Sequence, residues 1–347
     1  MNILILLIFA FLAGCGAGSS DQSLIKPNLN REYTVKLINN NTPFNGRDHA
    51  TSFLINNRIF LRGGFFRSPA SSFQDYWFSD DFGITWIHIS GSLLPTNEPF
   101  INEDLNLPGA YARFSSFNNL FWLIDTDFAW TSLDGLSWSK QATIPHNSSS
   151  ELFNINLNNK SYWINPRNNI VWDISSNNLI SFSRLIDVNF TPGYGSIVYK
   201  NKDYIYIAAG INSSGKFNNF IWRSNDGITW NKLVDENNKD ITLPFKNLAW
   251  PCIVNDQEGN IWIVGGYDIE KNINLNNIWF SIDGINWSEA KARENIRSDS
   301  KLIPKHASTC IYDESNKRII SIAGKGGIDP DNDNASVTNN IFEIFIN

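Results

Sequence analysis

The phrase IWRSNDGITWNKL at 221–233 returns as IWFSIDGINWSEA at 278–290 and, more loosely, as AWTSLDGLSWSKQ at 129–141. A fourth copy, YWFSDDFGITWIHI at 76–89, carries one extra residue before its glycine. This self-similarity constrains the fold more than any other feature, because it means that one supersecondary unit is repeated along the chain. The phrases close on Trp86, Trp138, Trp230 and Trp287. The interval from Trp138 to Trp230 is nearly double the others and predicts a hidden copy. IVWDISSNNLISFSRL at 170–185 supplies it, with Trp172 in place and Phe182 where the closing Trp belongs. Four steps then lead from Trp86 to Trp287, about 50 residues each.

A second block recurs upstream of each phrase. RIFLRGG (58–64), YIYIAAG (204–210), NIWIVGG (260–266) and RIISIAG (318–324) are apolar runs that end in small residues, with eroded versions in LFWLIDTD and SYWINPR. Each run follows another strand-like segment and a turn rich in Asn, Asp or Gly. One repeat therefore reads as strand a, tight turn, strand b ending in glycine, longer loop, strand c, Asp-Gly turn, strand d. Aromatic residues make up 14 % of the chain, charged residues 18 %, and there is one Met, a balance suited to strands and turns. The net charge of −6 and the lack of any Lys/Arg run exclude the electrostatic footprint of a nucleic-acid binder.

Six a–b pairs occur, but the sixth repeat stops at NNIFEIFIN without a fourth strand, and REYTVKLINN at 31–40 precedes the first repeat as an orphan. One leftover completes the other. The sequence predicts an all-β fold over 31–347: a six-bladed β-propeller of four-stranded antiparallel blades, closed by an N-terminal strand (31–40) that completes the last blade.

This organisation resembles kelch-type propellers, through the glycine pairs Gly63–Gly64 and Gly265–Gly266. The repeated phrase resembles the Asp-box of sialidase-like propellers. It is fullest over Ser79, Asp80, Asp81, Phe82, Gly83, Ile84, Thr85 and Trp86, and shorter around Asp134 and Trp138, Asp226 and Trp230, and Asp283 and Trp287. Four such turns spread around a ring cannot converge on one ligand. An Asp-Gly turn also has a sufficient structural use, since Gly takes positive φ and the carboxylate accepts turn amides. The phrases are expected to hold blades together, with each closing Trp packed between neighbours.

The N-terminus reads as an address. MNILILLIFAFLAGC is apolar and too short to span a bilayer as a mature helix. Its end, Leu12-Ala13-Gly14-Cys15, resembles the lipobox of bacterial lipoproteins. That resemblance implies a signal peptide over 1–14, a lipid on Cys15 that holds the protein to a membrane, and a place in the bacterial cell envelope. Gly16 at the following position implies the outer membrane. Residues 15–30 read as a flexible tether. Cys252 and Cys310 lie at matching points of two repeats. An oxidising compartment permits a bond between them, although core filling is the plainer expectation.

The topology directs attention to the face of the d–a and b–c loops, where the starts of the a strands and the ends of the b strands ring the axis. Candidate ligand residues there are Arg47, His49, Arg62, Arg113, Arg167, Tyr194, Trp250 and His306, accompanied by Asp48, Arg67, Tyr111, Asp125, Asp127, Tyr267, Lys305 and Lys325. Arg, His and aromatic rings on one mouth suit an anionic or sugar-like ligand, although rim residues and inter-blade ion pairs would look the same. A sialidase-like site needs an arginine cluster, a Tyr–Glu pair and an Asp acid/base. Arg58-Ile59-Phe60 is the nearest phrase to the opening motif of that family, and no Tyr–Glu pair stands out. A kelch-type epimerase or mutarotase needs less apparatus. No cofactor is expected, and no metal, except that Asp329, Asp331 and Asp333 alternate as calcium ligands do, in a stretch without the following Gly and Glu. The reading is a membrane-anchored module that binds a protein or glycan partner without chemistry. The alternative is a carbohydrate-active enzyme that uses the same mouth.

Overall fold

The computed structural model of the chain describes residues 30–67, 70–73, 75–89, 113–124, 128–143, 152–166, 170–175, 180–184, 193–212, 215–293, 301–326 and 337–346. The segment 1–29 with Cys15, along with Tyr111, Asp125, Asp127, Arg167 and the Asp329–Asp333 stretch, lies outside these residues. Among the described residues every regular element is a strand.

The strands form six antiparallel sheets arranged as the blades of a propeller. The first blade runs through Thr51–Ile55, Arg58–Arg62, Tyr76–Ser79 and Ile87–His88, and the next three repeat that order. In the fifth, Cys252–Asn255 precedes the long hairpin of Ile261–Asp268 and Ile273–Ser281, and Ser288–Glu289 is outermost. The sixth takes Thr309–Asp313, Arg318–Lys325 and Val337–Ile346 from the end of the chain, then adds Glu32–Asn39 from its beginning. Tyr33 pairs with Ile346, Val35 with Ile344 and Leu37 with Phe342, so the closing strand sits where the two leftovers predict. Lys291–Ala292 covers part of its outer edge in parallel.

Local chemistry explains each turn. The a–b hairpins use Asn56–Asn57, Asn118–Asn119 and Asn158–Asn159, all with φ between 50° and 64°. Two consecutive left-handed residues make the two-residue turn that matches strand twist, and Asn tolerates that region best among residues with a side chain. Strand b ends in two left-handed residues: Gly63–Gly64, Ala209–Gly210, Gly265–Gly266 and Ala323–Gly324. The first has φ near 60° and accepts Ala, whereas the second has φ of 100–116°. A Cβ there would lie 3.0 Å from the Asp48 carbonyl oxygen at Gly64, 3.1 Å from that of Ala249 at Gly266 and 3.1 Å from that of His306 at Gly324. Only glycine lets strand b cross the residue that leads into strand a.

The repeated phrase builds one turn four times. In the first, Gly83 N donates to Ser79 Oγ at 2.7 Å, Thr85 N donates to Asp81 Oδ1 at 2.8 Å, and Trp86 Nε1 donates to the Gly83 carbonyl at 3.1 Å. The turns at Asp134, Asp226 and Asp283 repeat the Ser and Asp contacts. Partial burial raises each of these aspartate pKa values, but the hydrogen bonds received outweigh it, and all four rest below the ordinary value. Each turn also docks on the preceding blade. Tyr199 Oη of the fourth blade donates to the Gly284 carbonyl of the fifth at 2.8 Å, and Tyr76 makes the same bond to Gly135. Trp138, Trp230 and Trp287 join the apolar clusters of the blades before them, and Trp86 joins that of the sixth. Truncating such a buried indole costs about 3–5 kcal/mol.

Two expectations need correction. In the third blade Trp172 pairs with Phe182 and Ile174 with Ile180, whereas in the second Trp130 pairs with Lys140 and Ser132 with Trp138. Ile180, not Phe182, therefore holds the slot of the closing Trp, and it packs on the cluster shared with the second blade. The spacing agrees: eight residues lead from Trp130 to Trp138, from Trp222 to Trp230 and from Trp279 to Trp287, and eight lead from Trp172 to Ile180, so the aromatic ring of Phe182 was the misleading signal. Second, Cys252 and Cys310 are bonded, with Cα atoms 5.9 Å apart, across the inner strands of blades five and six. Their positions differ by one: Cys252 begins its strand, as Thr309 begins the next.

Candidate functional site

The inner strands enclose an axial cavity of about 500 Å³. One end is bounded by the residues that lead into the a strands, including His49, Ser196, Trp250 and Ala307, and the other by the a–b turn side, with Leu54, Asn255 and Glu314. Backbone hydrogen bonds stitch the leading residues together. Ala307 N donates to the Trp250 carbonyl at 2.8 Å and His49 N to the Ala307 carbonyl at 2.9 Å. His49, Gly195, Trp250 and Ala307 are all left-handed, with φ of 51°, 75°, 48° and 51°. This bend turns the chain from the rim into the strand.

Rings gather beside this mouth on blades four to six. Tyr194 meets Trp250 edge to face at 4.9 Å, Trp250 lies 6.1 Å from Tyr267, and Tyr267 lies 4.9 Å from His306. Tyr194, Trp250 and Tyr267 are half-buried, and His306 is buried. His306 Nδ1 is 2.5 Å from Asn274 Oδ1, on the strand after the long hairpin turn, so Nδ1–H donates to the amide oxygen in the tautomer that protonates Nδ1. On the first blade His49 Nδ1 is 2.9 Å from Asp48 Oδ1, and the Asp48 carboxylate is fully buried. Arg113 lines the cavity from the second blade.

Of the eight sequence candidates, His49, Arg113 and Trp250 border the cavity, and Tyr194 and His306 join Trp250 in the ring cluster. Arg47 does other work. It is fully buried, its guanidinium grips Asp75 through Nη1 at 2.5 Å and Nη2 at 2.8 Å, and Nη1 also donates to the Gly63 carbonyl at 2.8 Å. It lies over Phe73 at 4.3 Å. Arg62 is buried at the end of its strand, paired in backbone register with Thr51 and Tyr76. Arg167 lies outside the described residues. Asn274 went unread in the sequence: nothing distinguishes it within INLNN, and only the length of the hairpin brings it to His306.

Lys305 fills in the sixth blade the place that Arg47 fills in the first. Its Nζ donates to the Ala323 carbonyl at 2.8 Å and stands 5.2 Å from the Phe342 ring centre. Asp75, which balances Arg47, has its counterpart in Asn340, since each precedes the residue paired with the end of strand b. Burial pulls the Lys305 ammonium down to about 7.

The fold defines a class, the six-bladed β-propeller, here with an axial cavity. No protein-family model matches the chain, and no curated protein does. Solved structures do match, 485 chains of them, which places the architecture among widely used ones. One is the structure of YjhT, 12 % identical, with a TM-score of 0.54 over 90 % of this chain and 99 % of that one. At that identity the likeness shows the fold alone.

Proposed function

We propose that this protein is a lipid-anchored component of the bacterial envelope whose propeller binds a glycan or a protein at the axial mouth and does no chemistry. The observation that carries this reading is the cavity itself: about 500 Å³, lined at its rim by His49, Arg113 and Trp250 and flanked by the ring cluster. Pre-formed concave sites with a few polar groups among rings are where propellers and other rigid scaffolds take ligands. The Cys252–Cys310 bond supports an oxidising compartment, and Leu12-Ala13-Gly14-Cys15 supports the anchor. The turns at Asp81, Asp134, Asp226 and Asp283 support an Asp-box, kelch-type lineage, in which they act as fasteners.

Palmitate labelling in cells tests the anchor: it is lost in Cys15→Ala, and persistence of the label removes that part. A glycan array and affinity capture with the full chain, each repeated with Arg113→Ala, test the mouth. The second reading is a carbohydrate-active enzyme of the epimerase or sialidase-like kind. It is favoured by the Asp48–His49 contact, in which a buried carboxylate orients an imidazole at the cavity rim. Turnover or anomer exchange of free sugars by the purified protein, lost in Arg113→Ala, selects that reading over binding alone.

A further inference from the structure

The blades agree where they fasten to each other and differ at the mouth. Gly195 and Ala307 occupy in their blades the place that Trp250 holds in the fifth, with the same left-handed backbone. Ile211 stands where Tyr267 does, in the short pairing just beyond the glycine pair. The fold therefore does not demand a ring at either position, yet rings collect there on three consecutive blades.

We propose that the ring cluster is a stacking platform for one neutral pyranose unit of a glycan, with Trp250 at its centre; this rests on the reading of the mouth as a binding site. A pyranose presents a patch of C–H groups on each face and hydroxyls around its edge. The half-buried rings of Tyr194, Trp250 and Tyr267 offer apolar area to the patch, and the His306–Asn274 pair offers polar atoms to the edge. The neighbouring charges favour a neutral sugar. Lys305 is turned inward to the Ala323 carbonyl and Arg47 is held by Asp75, while the hairpin after Tyr267 brings Asp268 and Glu270. Lys271 is paired with Asp268 at 3.3 Å.

The test is ligand-observed saturation-transfer NMR on the full chain, with methyl glucoside, galactoside, mannoside and N-acetylglucosaminide, and methyl glucuronide as the acidic probe. At least one neutral pyranoside is expected to bind saturably. Trp250→Ala is expected to weaken it at least tenfold without moving the melting temperature, because alanine already serves at Ala307. Tyr267→Ile should weaken it as well. Binding of the glucuronide alone, abolished by Arg113→Ala and indifferent to Trp250→Ala, overturns the neutral-sugar platform but keeps the mouth as a site. So does a captured protein that competes at the mouth while every pyranoside is silent. If neither sugar nor protein responds to any mouth variant, the platform and the binding reading fall together.

Discussion

The Arg318 guanidinium carbon lies 4.7 Å from the centre of the Phe82 ring. Phe82 is the residue that the first turn has and the other three lack, and it takes a left-handed φ of 56° to get there. Arg318 belongs to the blade that the two chain ends complete, where it donates to Asp313 at 2.7 Å and contacts Glu343. Asn39, at the end of the closing strand, donates to the Ile84 carbonyl of the same turn at 2.8 Å. The extra residue thus marks the seam of the ring. Phe82→Ala should lower stability by about 1 kcal/mol through loss of this cation–ring contact, read as a shift in urea midpoint. An unchanged midpoint would leave the insertion without a structural role.

The glycine pairs separate two kinds of left-handed residue. Ala323 at φ 57° is strained but allowed, and Ala323→Gly should be neutral or slightly stabilising. Gly324 at φ 115° faces the His306 carbonyl, and Gly324→Ala should cost about 2 kcal/mol or more. Thermal denaturation of the two variants checks the order.

The bond between Cys252 and Cys310 closes a separation of 58 residues. Cys310→Ser should reduce stability by up to about 4 kcal/mol, and a reductant should bring the wild type down to the same level. The bond joins blades five and six next to the seam, so its loss weakens the same closure that the N-terminal strand provides.

Stability should rise with pH in two separate ranges. The four turn aspartates have folded pKa values below the unfolded 3.8, so what they contribute is present above about pH 4 and is lost as the pH falls through the folded values. For Lys305 the folded value of about 7 lies below the unfolded 10.5. Between them the unfolded chain binds the extra proton, so stability climbs from neutral pH to about 10 and is lower on the acid side. Lys305→Met should flatten the upper rise, and Asn340→Asp should do the same by giving the ammonium the partner that Arg47 has in Asp75. Urea titrations from pH 3 to 10 measure both.

Much of the fold was legible because its determinants are local and repeated. Asp-Gly and Asn-Asn turns, glycine-ended strands and the closing tryptophans each announce one element. The orphan strand at 31–40 and the truncated sixth repeat announce the closure. What failed to show was register: an aliphatic residue, Ile180, holds the third blade's Trp slot while the aromatic Phe182 lies two residues on, and one residue of offset hid the Cys252–Cys310 pairing. The mouth was half legible. Sequence position put Trp250, Tyr194 and His306 near the axial mouth, where the structure also has them, but Arg47 looks like a ligand-binding arginine until Asp75, 28 residues on, is seen holding it. Residue type alone does not tell an arginine facing solvent from one consumed inside a blade.

Hydrogen exchange of the amides in Glu32–Asn39 tests the closed ring most directly. If this strand is the fourth of the last blade, its amides exchange as slowly as those of Arg318–Lys325 and are released with them in one cooperative step as urea is added. Exchange of Glu32–Asn39 within seconds in native buffer, while Arg318–Lys325 stays protected, would contradict it.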